Sequence, residues 1–357
     1  MKPPPRLREQ VSLASLTTFE VGGPARWFCE AETEEEVADA LAFAKERGAP
    51  VLVLGGGSNL LVADRGFDGL ALGLGLRGIA TLGEGRLRVG AGEDLDGLVE
   101  HAVVAGLQGL ECLSGIPGSV GATPIQNVGA YGQEVAETIA EVRVLDRATL
   151  TTRTLSPSEC GFGYRTSVFK REAKDRFVVL SVDFALRPSG TPSIRYEELR
   201  RHLASRELGE PSLLQVRDAV LALRRSKSMV IDAEDPNRRS AGSFFVNPVV
   251  AKEQADAIEA SVGAPMPRYP AGERVKLSAA WLIEKAGFVR GSGEGKVGLS
   301  TRHALALVNR GGASASELVA FARRVQDAVR ERFDVRLTAE PQLVGFERHE
   351  IESLVAS

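Results

Sequence analysis

A chain of 357 residues with 43% hydrophobic residues has the apolar content for two or three domains, and a formal net charge of −3 lacks the basic surplus of a nucleic-acid partner. Three widely spaced cysteines and four scattered histidines argue against a disulfide scaffold and a zinc site. No run of about 18 apolar residues offers a membrane span, and the opening MKPPPRLREQ has no apolar signal-peptide core, so a cytoplasmic, reducing compartment is expected.

Residues 1–16 read as a lead-in whose prolines disfavour a helix. Residues 26–31 read as a strand. Thr33 then caps a helix, with Glu36 completing a capping box, Val37, Leu41 and Ala44 on the apolar face, and Gly48 as the stop. Residues 51–54 are a buried strand that runs straight into Gly55-Gly56-Gly57-Ser58-Asn59. Between residues 70 and 91 short β-like runs alternate with glycines. Gly73-Leu-Gly-Leu-Arg-Gly78 fits the letters GxGxxG, but IATLGEGRLRVG follows where a dinucleotide fold needs a helix, so the segment is read as a β-hairpin turn.

Residues 94–105 form a helix that stops at Gly106, and strands follow at 141–146, 151–155 and 177–186. Linker chemistry at 188–192 suggests a domain boundary. Helices are expected at 196–205, at 213–225 with a basic end (Arg224, Arg225, Lys227), for about ten residues from Ala251, at 277–286 and at 316–333. Short strands are expected at 297–299, 305–309, 335–337 and 342–346.

The stretch 114–132, SGIPGSVGATPIQNVGAYG, holds five glycines and two prolines with almost no charge, which suits neither a solvated loop nor a regular element. Close approach of backbone to a flat or anionic ligand explains it, and Gly55-Gly56-Gly57 after a buried strand repeats the pattern. Two such loops suggest a long ligand with a pyrophosphate in the middle. No GxxxxGK[ST], GxSxG or HExxH occurs. Taken singly, Arg165 reads as a solvated arginine or a carboxylate clamp, Ser243 as a structural serine, and Glu340 as a loop acid. Arg224 and Lys227 read as a phosphate clamp or a complement to the helix dipole.

GGGSNLL, SGIPGSVGATPIQNVGAYG, GYRTSVFK, AGSFFVNP, KLSAAWLIEKAG and a late Ala-Glu-Pro, preceded by Thr18-Phe19, occur in one order across residues 17–346. This ordered set resembles the UDP-N-acetylenolpyruvoylglucosamine reductases (UDP-N-acetylmuramate dehydrogenases). The resemblance implies an α+β chain: a two-subdomain FAD-binding fold of the vanillyl-alcohol-oxidase (PCMH) type plus a smaller α+β substrate-binding domain. The expected organisation is 1–190 for FAD, split near 70, 191–228 for connecting helices and a substrate loop, 229–333 for substrate, and 334–357 returning to the active-site region.

It implies non-covalent FAD, NADPH as reductant, a UDP-sugar substrate and a monomer, with no metal, membrane or nucleic-acid partner. By match, Arg165, Ser243 and Glu340 take catalytic roles, Ser243 as general acid. Cofactor contacts fall on Gly55, Gly56, Gly57, Ser58 and Asn59 in the first loop. In the second they fall on Ser114, Gly115, Pro117, Gly118, Gly121 and Ala122, then on Gln126, Asn127, Gly129 and Ala130. Tyr131, Tyr196, Arg224, Lys227, Asn247 and Tyr269 match substrate positions, and Tyr196 in Tyr196-Glu-Glu-Leu199 points to the loop-bearing (type I) subclass. The segment 232–240 is longer than in some relatives. The alternatives are a sugar or alcohol oxidase of the same fold, disfavoured because no histidine lies in residues 1–100 to carry flavin, and a binding protein on an inactivated scaffold.

Overall fold

The computed structural model describes residues 4–206 and 209–355. Two compact units emerge. The first is built from Ala25–Gly56 and Asp68–Ile231 with the described residues up to Val11; the second from Ser12–Pro24, Gly57–Phe67 and the chain from Asp232 onward.

In the first unit a four-stranded sheet has the spatial order Arg8–Ser12, Pro24–Ala31, Phe67–Leu74, Val51–Leu54, with the last two parallel. The helix Glu34–Glu46 buries Val37, Ala40, Leu41, Phe43 and Ala44 in the same core as Trp27, Leu70 and Leu72. Trp27 meets Phe43 edge to face at 5.6 Å. A second, five-stranded antiparallel sheet runs Thr152–Leu155, Ile139–Asp146, Phe177–Ala185, Arg86–Gly90, Ile79–Gly83. The helix Leu95–Val104, capped by the Asp94 carboxylate on the Gly97 amide, adds Leu95, Leu98, Val99 and Ala102 to the core. The helices Glu197–Ala204 and Leu213–Ser226 close around a separate small core of Cys112, Leu199, Leu203, Val216 and Val220.

In the second unit two small antiparallel sheets pack with the 19-residue helix Ala315–Phe333, whose Leu318, Phe321, Ala322, Val325 and Val329 are buried together with Leu282, Leu299 and Leu307. A reciprocal capping box of Ser314 and Glu317 starts that helix, and the Asp64 carboxylate accepts from the Ala315 and Ser316 amides. Leu60–Val62 pairs in parallel with Gln342–Val344.

Several local expectations need correction. Gly73–Gly78 is no hairpin turn: Phe67–Leu74 and Ile79–Gly83 belong to different sheets, and the glycines carry the chain from one to the other. Thr33 caps its helix, but the Glu36 carboxylate takes the Glu32 amide instead of closing the box on Thr33. Val335 and Leu337 are buried, yet residues 335–337 form no strand, and the helix expected at 277–286 begins at Ala279 because Leu277 ends a strand and Ser278 is the cap. The hairpin of Arg268–Ala271 with Arg274–Leu277 escaped the sequence reading: RVKL alternates, but RYPA opposite it does not. No helix among the described residues is long and apolar enough to cross a membrane.

Candidate active site

The two glycine-rich loops of the first unit meet backbone to backbone. A Cβ on Gly56 would lie 2.8 Å from the Gly118 Cα, and one on Gly55 would run into the Ser119 hydroxyl. Gly121 donates its amide to the Ala91 carbonyl at 2.8 Å, and a Cβ there would meet the Ala91 Cβ at 2.6 Å. Gly118 holds the Leu95 amide at 3.0 Å, so the N-terminus of the Leu95–Val104 helix is tied to the loop. Ala122 borders Gly55 at van der Waals distance. The Gly115 amide donates to the Asp96 carboxylate at 2.6 Å, and Arg217 grips the same carboxylate with both Nη atoms. Burial pushes the Asp96 pKa up, but its hydrogen bonds with Arg217 and Gly115 and the nearby charges leave it below the usual carboxylate value.

Further along, Gly129–Ala130 pairs with Gln133–Glu134. Asn127, 1% exposed and left-handed at φ 47°, spends its side chain on Glu134, on the Gly163 carbonyl and on the Ala136 amide. It therefore shapes the loop from inside. Ser114 is likewise buried, its hydroxyl on the Glu111 carbonyl. Pro117 and Gln126 lie half-buried in the same stretch.

Arg165 sits at φ 54° on a tight turn closed by reciprocal hydrogen bonds of Gly163 and Thr166. Its Nη2 donates to the Gly129 carbonyl at 2.8 Å, and the Ser167 hydroxyl binds the Ile125 carbonyl at 2.6 Å. The turn is thus anchored on the glycine-rich stretch. A left-handed non-glycine residue held this way is a recurrent feature of functional turns.

Tyr131 and Tyr196 meet edge to face at 5.6 Å, and Lys227 Nζ lies 5.9 Å from the Tyr131 ring centre and 2.6 Å from Glu198 Oε2. Arg224 is 8% exposed; its Nη2 donates to the Met229 carbonyl at 2.6 Å, and its buried Nε has no hydrogen-bond partner. Burial lowers its pKa. Burial pushes the Tyr131 phenol up to about 12, with Arg224 opposing and Glu198 reinforcing. A buried guanidinium with a spare donor beside two tyrosines and a lysine is chemistry suited to an anion.

In the second unit Gly57, at φ 63°, packs on the Leu16 carbonyl. Asn59 accepts the Gln342 amide at 2.9 Å and sends Nδ2 toward the Glu340 carbonyl at 3.4 Å. Glu340 donates its amide to the Phe244 carbonyl at 2.8 Å, Val246 donates to Thr338, and Phe245 bridges Ala339. Ser243 thus immediately precedes a short antiparallel contact in which Phe244 faces Glu340. Asn247 accepts the Ala279 amide at 2.9 Å, and Tyr269 is 40% exposed with Lys276 Nζ 5.7 Å from its ring. Ser58, Asn59, Ser243, Asn247, Tyr269 and Glu340 belong to this unit; Arg165, Tyr131, Tyr196, Arg224 and Lys227 belong to the first.

Residues 25–156 match the model of an FAD binding domain, and residues 235–344 match that of the UDP-N-acetylenolpyruvoylglucosamine reductase C-terminal domain. The UDP-N-acetylenolpyruvoylglucosamine reductase of Nocardia farcinica is 52% identical over 347 residues, spanning 95% of this chain and 90% of that relative. The chain belongs to the UDP-N-acetylenolpyruvoylglucosamine reductases. The reductase of Thermobifida fusca is 48% identical over 94% of this chain and 97% of its own. The crystal structure of the reductase from Thermus caldophilus is 29% identical, covers 95% of this chain and 99% of its own, and superposes with a TM-score of 0.67.

The reductase is an α+β flavoenzyme with an FAD-binding domain followed by the C-terminal domain of its family. The residues fit FAD: without a Cβ, Gly55 and Gly56 let the first loop lie directly on Gly118 and Ser119 of the second, so the two loops present close-packed backbone whose amides suit a pyrophosphate. Asp96 and Glu198 escaped the sequence reading, because an acid on a helix or at its start carries no signal until its cationic partner is seen.

Proposed function

We propose that this chain reduces UDP-N-acetylglucosamine enolpyruvate to UDP-N-acetylmuramate, with NADPH as reductant, in peptidoglycan precursor synthesis. The observation that supports the reading is the hydrogen bond of the Glu340 amide to the Phe244 carbonyl beside the Phe245–Ala339 bridge, which brings the segment that carries Ser243 next to the one that carries Glu340. The hydride that adds to C3 of the enolpyruvyl group would come from FAD held by the two glycine-rich loops and reduced by NADPH. Ser243 then donates a proton to C2. A serine hydroxyl is a weak acid, and it serves here because the acceptor is a strongly basic enolate carbon. Arg165 pairs with the substrate carboxylate, where charge develops, and Glu340 in its protonated or hydrogen-bonded form steadies the enol. Lys227 and Arg224 hold the diphosphate, Tyr131 and Tyr196 cover the substrate, and Asn247 and Tyr269 contact the sugar nucleotide. NADPH and the UDP-sugar take turns on a cytoplasmic monomer.

An anaerobic flavin titration tests this. The FAD-loaded protein is bleached with NADPH and then given the enolpyruvyl substrate. Rapid return of the oxidised spectrum is expected, and Ser243→Ala is expected to bleach normally but regain colour orders of magnitude more slowly. A flavin that stays bleached until air enters would move the chain to the oxidases.

A further inference from the structure

The four residues before Phe244 form a short loop, and its two ends are held differently. Downstream, Phe244 is fully buried, donates its amide to the Leu305 carbonyl at 2.8 Å and accepts from Glu340. Upstream, the Ser240 carbonyl accepts the Thr18 hydroxyl at 2.6 Å. Between the anchors lies Gly242 in the left-handed region at φ 69°, which lets the chain turn but also lets it swing.

Thr18 is itself fixed on every side. Its amide donates to the Gly57 carbonyl at 3.2 Å, and its hydroxyl lies 3.5 Å from the Ser58 carbonyl. The next residue, Phe19, is fully buried, meets Phe244 edge to face at 6.3 Å, and accepts the Asn309 Nδ2 on its carbonyl at 2.9 Å. The Thr18 hydroxyl therefore sets a fixed distance between the Gly57–Ser58 backbone and the Ser240 carbonyl, three residues ahead of Ser243.

We propose that Thr18 is a positioning residue for proton delivery: its hydroxyl on the Ser240 carbonyl holds the Ser240–Ser243 loop so that the Ser243 hydroxyl stays aimed at the substrate carbon. The proposal rests on Ser243 as the proton donor. Losing this contact frees the Ser240 carbonyl at the start of the loop; Arg239 stays tied through its carbonyl to the Asn309 amide at 2.9 Å, so the slack falls between that tie and Phe244, with Gly242 as the hinge. Small misplacements of a reacting group slow a step by as much as about 100-fold, and only the proton-transfer step uses Ser243.

The test uses the FAD-loaded enzyme in anaerobic stopped flow, reading bleaching by NADPH and recolouring by the enolpyruvyl substrate separately. Thr18→Val, which keeps the shape and removes the hydroxyl, is expected to slow recolouring roughly 10–100-fold and to leave bleaching within about twofold. Thr18→Ser, which keeps the hydroxyl, restores most of the rate. Adding Thr18→Val to Ser243→Ala changes recolouring by less than about twofold, because the donor to be aimed is already gone. Thr18→Ala serves in the same scheme if the valine variant does not fold. Equal losses in both half-reactions, no rescue by Thr18→Ser, or losses that multiply in the double variant would overturn the proposal. Normal recolouring by Ser243→Ala alone would overturn the proton-donor reading, and this proposal with it.

Discussion

Lys227 Nζ is 2.6 Å from Glu198 Oε2, so the lysine assigned to the substrate diphosphate already carries an anionic partner from the helix behind Tyr196. A diphosphate must displace or share that carboxylate. Partly exposed pairs of this type are worth roughly 0.5–1 kcal/mol, so Glu198→Gln is expected to lower the KM for the UDP-sugar by about two- to fivefold with kcat unchanged. A rise in KM would show that Glu198 instead orients Lys227 for its ligand. Steady-state kinetics at two salt concentrations separates the outcomes, because the gain shrinks as salt screens the pair.

Asp96 joins the Gly115 amide of the second glycine-rich loop to Arg217 on the helix Leu213–Ser226. Asp96→Ala leaves Arg217, 7% exposed, without its bidentate partner, and is expected to destabilise the first unit by about 2–4 kcal/mol and to weaken FAD retention. The pH dependence follows from the lowered carboxylate pKa. Its stabilisation is fully present above the unfolded value of about 3.9 and is lost as pH falls through the folded value. Acid titration of thermal stability should therefore show a step below about pH 4 in the parent that the Asp96→Ala variant lacks.

The ordered motifs made the family, the FAD-binding fold and most helices legible, because periodic apolar faces and caps are local signals. Thr33 and Asp94 each cap the helix expected at that point of the chain. What stayed hidden depends on long-range pairing. In the Arg268–Leu277 hairpin only the short RVKL strand alternates and RYPA does not, the Gly73–Gly78 crossover has the letters of a turn, and the contact of Thr18 with Ser240 spans 222 positions. The glycines illustrate the same limit. Composition pointed to a ligand, whereas Gly121 also needs its missing Cβ to pass Ala91.

The three cysteines are buried free thiols, and burial pushes Cys29 up to about 11 and Cys112 and Cys160 up to about 12. A raised thiol pKa contributes stability that is present below the unfolded value of about 8.5 and is lost as pH rises toward the folded value. Each thiol then lowers unfolding free energy by up to about 1.4 kcal/mol per pH unit. Denaturant melts between pH 8 and 11 should show the decline, and a thiol reagent should label the native protein only at the rate of unfolding.

Two glycine substitutions are expected to move stability in opposite directions. Gly97 lies in the first turn of the helix Leu95–Val104, where a Cβ would meet only the Asp94 side chain, at 3.6 Å. Gly97→Ala therefore keeps the Asp94 cap and restricts the unfolded chain, for a gain of about 0.5–1 kcal/mol. Gly121→Ala drives a methyl against Ala91 at 2.6 Å with the Ala91 carbonyl 3.0 Å away, and the clash falls on backbone that cannot rotate aside. Its cost is expected at about 1–3 kcal/mol, with a loop shift that releases FAD. Paired melts of the two variants, with flavin fluorescence followed in the same cuvette, check both. A neutral Gly121→Ala that keeps its flavin would mean that the turn at Ala91 gives way and that the loop tolerates a Cβ.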